Sequence, residues 1–257
     1  MITIKDKSGI EKMYSAGQLL AGIFMRLTSL IEPGITTFAI DSWIETEIKN
    51  AGLVSQMKGY MGSYHHVSCI SINDEVVHGI PSKLKIINEG DLVKVDVCAS
   101  WKGYCADLAR CFYVGNMPDS VKNFIETTQR ALNKGIEQAR TGNRLSDISA
   151  AIQQEVEKDG YGVVRDFAGH GIGKKMHEDP EILNYGKPGQ GPLLKPGMAF
   201  ALEPMITMGS YKVFVMKDHW TVKTEDKSLA AHIEDTVVIT ENEPYILTRL
   251  DQQGIIR

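Results

Sequence analysis

Apolar residues at helical spacing (Ile10, Met13, Gly17, Leu20, Phe24, Leu27 and Ile31) predict a first amphipathic helix that ends at Glu32-Pro33-Gly34. Thr36-Thr37 can cap a second helix, with Ile40, Trp43, Ile44 and Ile48 inward and Gly52 as its stop. From Leu53 to Val114 the pattern changes to short apolar runs broken by turn residues. Helical spacing resumes after Pro118: Asp119-Ser120 open a helix through Val121, Phe124, Thr128, Leu132 and Ile136, broken at Gly142. Ser146 is the expected cap of a fourth helix, which buries Ile148, Ile152 and Val156 and stops at Gly160.

The clearest strand signal is DLVKVDVCASWKGYCADLARCFYV, residues 91–114. Val93, Val95 and Val97 alternate with Leu92, Lys94, Asp96 and Cys98, Lys102-Gly103 marks a turn, and a second β-prone run follows from Tyr104. Asp96 and Asp107 have opposite parity, so any even-length loop puts both carboxylates on one face of the hairpin. With Trp101-Lys102 as the loop they are direct partners; with Lys102-Gly103 they are diagonal ones, their Cβ atoms roughly 5–8 Å apart. Two like charges that close are destabilising unless a proton or a cation lies between them.

The chain also resembles itself. At an offset of 108 residues Gly34 meets Gly142, Ile40 meets Ile148, Ile44 meets Ile152, Glu47 meets Glu155, Ile48 meets Val156 and Gly52 meets Gly160. At an offset of 107, Gly90 meets Gly197 and Asp96 meets Glu203. The expectation is one α+β domain over residues 1–257, with halves of about 1–115 and 116–257. An approximate two-fold axis would join the two antiparallel sheets and leave the helices covering one face.

Composition narrows the class. Apolar and charged fractions of 43% and 23% are those of an ordinary globular chain. A net charge of −4 without a Lys/Arg block gives no footprint for nucleic acid, and no run approaches a membrane span. The charged start, MITIKDK, is unlike a signal peptide, and four cysteines without a C-x-x-C pair suit reduced thiols; both point to the cytoplasm.

Candidate chemistry lies in the second half as well. His170 sits between Gly169 and Gly171, where missing side chains let backbone approach an ion or substrate, and His177 follows. The same stretch fails as a phosphate loop, having Ala168 and Lys175 where Gly and Ser or Thr are required, and as a zincin, having no second His after His177-Glu178. Glu203 is expected on a strand face with Ala199 and Ala201, which leave room around it, and Pro204 marks a local end of pairing. Glu234 is expected within a last strand, on a face with His232, Thr236 and Val238. His78 lies on a Gly-Pro turn able to reach over a sheet. Four strand acids and one imidazole suit Mn²⁺, Fe²⁺, Co²⁺ or Zn²⁺ rather than a thiolate site, and bridging carboxylates would hold two ions roughly 3.5–4 Å apart. The adjacent His65-His66 is expected to be an accessible loop rather than a further metal site.

The segments DVCASWKGYCADLAR, GHGIGKKMHE, FALEP and WTVKTEDKSLAAHIEDTVVIT, with INDEVVHGIP upstream, resemble the bacterial type of methionine aminopeptidase over nearly the whole chain. The resemblance implies the pseudo-two-fold "pita-bread" fold and two divalent metals held by Asp96, Asp107, His170, Glu203 and Glu234, with Asp107 and Glu234 bridging. It implies that His78 and His177 bind substrate and stabilise the transition state, and that Glu203 moves the proton. Tyr64, Cys69 and Trp220 fall where the family builds its methionine pocket, whereas Lys58, Tyr60 and Met61 do not align cleanly. The implied reaction removes the initiator methionine from nascent, deformylated proteins near the ribosome when the next residue is small. The implied enzyme is a cytoplasmic monomer. Two departures stand out: Asp235 where the family usually has His, and Met176 where it is often aromatic. IEDTV instead is similar to the Xaa-Pro peptidase branch of the fold, though only 77 residues precede His78, too few for that branch's usual N-terminal domain. Non-catalytic binding relatives typically lose ligands, and none of the ligands is missing here.

Overall fold

The computed structural model describes residues 1–250. Among these residues four α-helices form: α1 (Lys7–Leu27), α2 (Thr37–Asn50), α3 (Asp119–Gln138) and α4 (Leu145–Lys158). The strands are β1 (Val54–Ser55), β2 (Cys69–Ile72), β3 (Leu92–Trp101), β4 (Tyr104–Tyr113), β5 (Gly162–Val163), β6 (Gly169–Gly171), β7 (Glu178–Ile182), β8 (Ala199–Leu202), β9 (Met205–Thr207), β10 (Val213–Val215), β11 (Val222–Thr224), β12 (Ala230–His232), β13 (Glu234–Val238) and β14 (Tyr245–Ile246). One antiparallel sheet runs β1-β3-β4-β13-β8-β6-β7, with β2 added to β3 and β14 to β13. A small sheet, β12-β9-β5, and the β10–β11 hairpin sit beside it.

Helix ends follow local chemistry. Asp6 starts α1 by accepting the Gly9 amide at 2.7 Å, and the helix closes at Leu27, leaving Ile31 beyond it. Thr36 caps α2 as expected, accepting from the Ala39 amide at 3.1 Å. The expected cap of α4 is corrected: Arg144 is the N-cap residue, its amide held by Asp147 at 2.7 Å. Ser146 instead lies in the first turn and exchanges hydrogen bonds with the Gln190 backbone.

The strand alternation separates two environments. Val93, Val95, Val97, Ala99, Ala106 and Leu108 are buried together with the inward faces of α1 and α2. The intervening residues, Asp96, Cys98 and Asp107 among them, face the other way. In the second half Phe200, Leu202 and Val237 pack with α3 and α4.

The repeat is visible in backbone geometry. Glycines matched by the sequence offset share left-handed φ angles: 93° and 94° for Gly34 and Gly142, 89° and 84° for Gly90 and Gly197. No side chain is tolerated well in that conformation, so these turns tie each half's loops to the same course. The isolated bridges Thr36↔Ile86 and Arg144↔Leu193 recur in the same register. Val95 pairs with Arg110, and Leu202, its counterpart, pairs with Asp235. Arg110 therefore corresponds to Asp235, and Ala109 to Glu234. Ala109 and Glu234 are themselves paired across β4 and β13, so the approximate axis passes between them.

Candidate metal centre

The β3–β4 hairpin turns at Lys102-Gly103, whose φ angles of 48° and 78° are those of a two-residue type I′ turn. Cys98 then pairs with Asp107 and Asp96 with Ala109, so the two aspartates are diagonal neighbours on one face. Asp107 is fixed further by Thr236, whose hydroxyl accepts from the Asp107 amide at 2.8 Å and donates to its carbonyl at 2.9 Å.

Glu203 and Glu234 reach the same place differently from the expectation. Neither lies in mid-strand: Glu203 follows the last residue of β8 at the break made by Pro204, and Glu234 is the first residue of β13, after a break at Ile233. A strand end places the acid where the sheet stops. The Asn184 amide holds the Glu203 carbonyl at 3.0 Å.

His170 on β6 lies opposite Ala201. The network assigns its proton to Nδ1, which donates to the Gly171 carbonyl at 2.9 Å and leaves Nε2 as an acceptor facing the acids. Nε2 is 3.6 Å from Glu203 Oε1 and 3.9 Å from Asp107 Oδ2. The flanking glycines serve packing rather than ligand approach. A Cβ on Gly171 would strike the Asp179 carbonyl, and one on Gly169 the Ala201 carbonyl. His232, read in the sequence only as a face neighbour of Glu234, also points inward, with Nε2 3.3 Å from Glu203 Oε2 and 3.9 Å from Glu234 Oε2. Its two-residue spacing from Glu234 was the available signal, and the interruption at Ile233 weakened it.

The electrostatics are those of a site that wants positive charge. Burial, and after it the negative field of Asp107, pushes the Asp96, Glu203 and Glu234 carboxyls well above the usual range. Burial lifts Asp107 to about 6 although the Cys98 thiol and His232 oppose the rise. Burial and the field of His177 lower His170 to about 3. Glu234 Oε1 and His232 Nε2 have no hydrogen-bond partner. Donor atoms of Asp107, His170 and Glu234 lie within 4.8 Å of one another, and so do those of Glu203, His232 and Glu234. Buried acids beside neutral imidazoles, with donor atoms left unpaired, fit divalent cations.

A 640 Å³ cavity opens onto this cluster. Tyr64, Cys69 and Trp220 line it, and so do Met176, Tyr60 and Met61. Lys58 points elsewhere, paired with Glu45 at 2.8 Å. The Tyr64 and Trp220 rings meet at 4.9 Å, and the Tyr64 hydroxyl donates to the Ser68 carbonyl at 2.8 Å. His177 faces the cavity with Nδ1 2.8 Å from the Tyr60 hydroxyl. His78, held at φ 58°, sets its ring against Phe167, and burial, with His232 and His177 nearby, lowers it to about 4. His65 is exposed, but His66 is half-buried and holds Asp41 at 2.9 Å, so only one of that pair is freely accessible. A larger cavity of 1060 Å³ lies along α1 and β4. Its charged lining, Arg110 and Arg249, is already engaged by Asp235, so the smaller cavity is the one that meets reactive groups.

An antiparallel sheet thus converges acids and imidazoles under an aromatic cavity, a donor set suited to divalent cations. The sequence profile of metallopeptidase family M24 matches residues 11–241, and the chain belongs to that family. Within it the chain stands among the methionine aminopeptidases. It is 48% identical to the methionine aminopeptidase of Clostridium acetobutylicum, over 96% of this chain and 99% of that one. The crystal structure of methionine aminopeptidase from Thermotoga maritima superposes with a TM-score of 0.95 at 42% identity, covering 97% of this chain and 100% of that one. Prolidase from Pyrococcus furiosus is more distant, with a TM-score of 0.77 and 25% identity over 97% of this chain and 66% of its own. The pita-bread fold is thus established.

Proposed function

We propose that this aminopeptidase releases the initiator methionine from nascent, deformylated chains whose second residue is small, acting in the cytoplasm near the ribosome as a monomer. The observation that carries the reading is the junction of an aromatic and thioether cavity with the buried acid cluster. Methionine is long, flexible and polarizable, and Tyr64, Cys69, Trp220, Tyr60 and Met176 offer it matching surfaces.

Asp96, Asp107, His170, Glu203 and Glu234 would hold two divalent ions drawn from Co²⁺, Mn²⁺, Fe²⁺ or Zn²⁺, with Asp107 and Glu234 shared. Such ions supply Lewis-acid polarisation of a carbonyl and a water acidified for attack at neutral pH. Glu203, its carboxyl raised by burial, is suited to take a proton from the nucleophile and return it to the leaving amine. With Tyr60 donating to Nδ1, His177 presents Nε2–H to the cavity as a donor for the developing oxyanion. His78 is neutral at working pH and can contact the scissile amide. A substrate's free α-amine meets a cluster of acids, which favours chain ends over internal bonds.

Steady-state kcat/KM on short peptides tests the reading. Met-Ala-Ser and Met-Gly peptides should be cleaved far faster than Met-Lys or Met-Phe peptides, and N-formyl-Met peptides should resist. A preference for Ala-Pro dipeptides would transfer the enzyme to the Xaa-Pro branch.

A further inference from the structure

We propose that His232 is a sixth metal ligand in this chain, completing with Glu203 and Glu234 a coordination position that the five-residue set does not include. This rests on the reading of Glu203 and Glu234 as ligands. His232 is 2% exposed, yet its Nε2 makes no hydrogen bond, although Glu203 Oε2 lies only 3.3 Å away. A structural histidine this deeply buried ordinarily has its ring nitrogens satisfied. The second unsatisfied atom in the same place is Glu234 Oε1. Two buried donors left unpaired side by side are what a missing common partner leaves behind.

Distances agree. Metal–donor bonds of about 2.0–2.2 Å separate neighbouring donors by roughly 3–3.6 Å. His232 Nε2 lies 3.3 Å from Glu203 Oε2 and 3.9 Å from Glu234 Oε2, at and just beyond that range before any ion draws them together. The arrangement also mirrors His170: one imidazole faces Glu203 Oε1, the other Glu203 Oε2. Each imidazole stands with Glu234 and one further acid in a cluster of donor atoms within 4.8 Å. A neutral imidazole added to a carboxylate-rich centre gives an ion a stronger field without adding negative charge.

The test is the full chain stripped with chelator and reloaded with Co²⁺. Proton NMR of the Co²⁺ protein should show two solvent-exchangeable, hyperfine-shifted imidazole N–H resonances, one from His170 and one from His232. The His232→Gln variant should lose the second resonance, shift the visible absorption bands, and bind one Co²⁺ about tenfold or more weakly by calorimetry. Gln keeps hydrogen-bonding capacity but is a poor ligand, so wild-type affinity and bands in His232→Gln would overturn the assignment. A single imidazole resonance in the wild-type protein would overturn it without any variant. No Co²⁺ uptake by the wild-type chain would overturn both this inference and the metal reading beneath it.

Discussion

Glu234 and Asp235 are adjacent, both essentially inaccessible to solvent, and opposite in electrostatic condition. Glu234 looks into the centre, has an unpaired oxygen, and is pushed well above the usual carboxyl range by burial and by Asp107, Glu203 and Asp96. Asp235 looks toward the helix side. Burial would raise it too, but Arg110 and Arg249, each at 2.7 Å, with Thr248 at 2.8 Å, hold it below its ordinary value. Burial alone therefore does not separate these two acids; the presence or absence of a protein partner does. The contrast also explains why Asp235 can replace the family's usual His: it belongs to a different network on the far face of the strand.

Breaking the unpaired side should have the largest effect. Asp107→Asn should abolish peptidase turnover, while the metal-free variant melts at a higher temperature than metal-free wild type at pH 7.5. The gain should be of order 1–3 kcal/mol, since a buried charge is removed. Calorimetric melting with parallel peptide assays checks both halves of that statement. Breaking the paired side should do the reverse. Asp235→Asn leaves two guanidinium groups without their acid and should cost about 2–3 kcal/mol, less than a wholly buried pair because both arginines reach solvent. Activity per folded molecule should survive, as chemical denaturation with activity titration would show.

The pH dependence sharpens the comparison. Asp107 at about 6 lies above its ordinary 3.8, so its stabilising contribution is present below 3.8 and lost as pH rises through about 6. The melting advantage of metal-free Asp107→Asn should therefore shrink between pH 7.5 and 5. The depressed histidines act oppositely, their contribution present above 6.5 and lost on acidification toward about 3 to 4. Comparing variant with wild type at each pH cancels most of that. The smallest effect belongs to Tyr60→Phe, which removes the bond to His177 Nδ1. A loss of about 1 kcal/mol, or roughly fivefold in kcat, is expected with metal content unchanged.

Legibility in the sequence followed locality. The parity of Asp96 and Asp107 was decidable because a two-residue turn fixes the register, and the glycine repeat because left-handed turns leave few alternatives. The helix faces of α1 to α4 were legible from spacing alone. Pro204 announces the break after Glu203 locally, because proline has no amide to donate, whereas the break at Ile233 that puts Glu234 first in β13 has no local signal. Ser146 has the side chain of a cap, but the Asp147 bond to the Arg144 amide starts the helix two residues earlier, and composition does not separate the two. The pairing of Asp235 with Arg110 and Arg249 depends on strand neighbours brought together by the fold, which no local pattern announces.

The seam at Ala109 and Glu234 has a consequence for synthesis. The acids on the early side of the axis are Asp96 and Asp107; His170, Glu203, His232 and Glu234 lie on the late side. Ribosomes build these in order, so an unfinished chain carries two repelling carboxylates and no counterpart. With the proposed ligand set, the centre is incomplete until residue 234 has emerged and β13 has docked against β4.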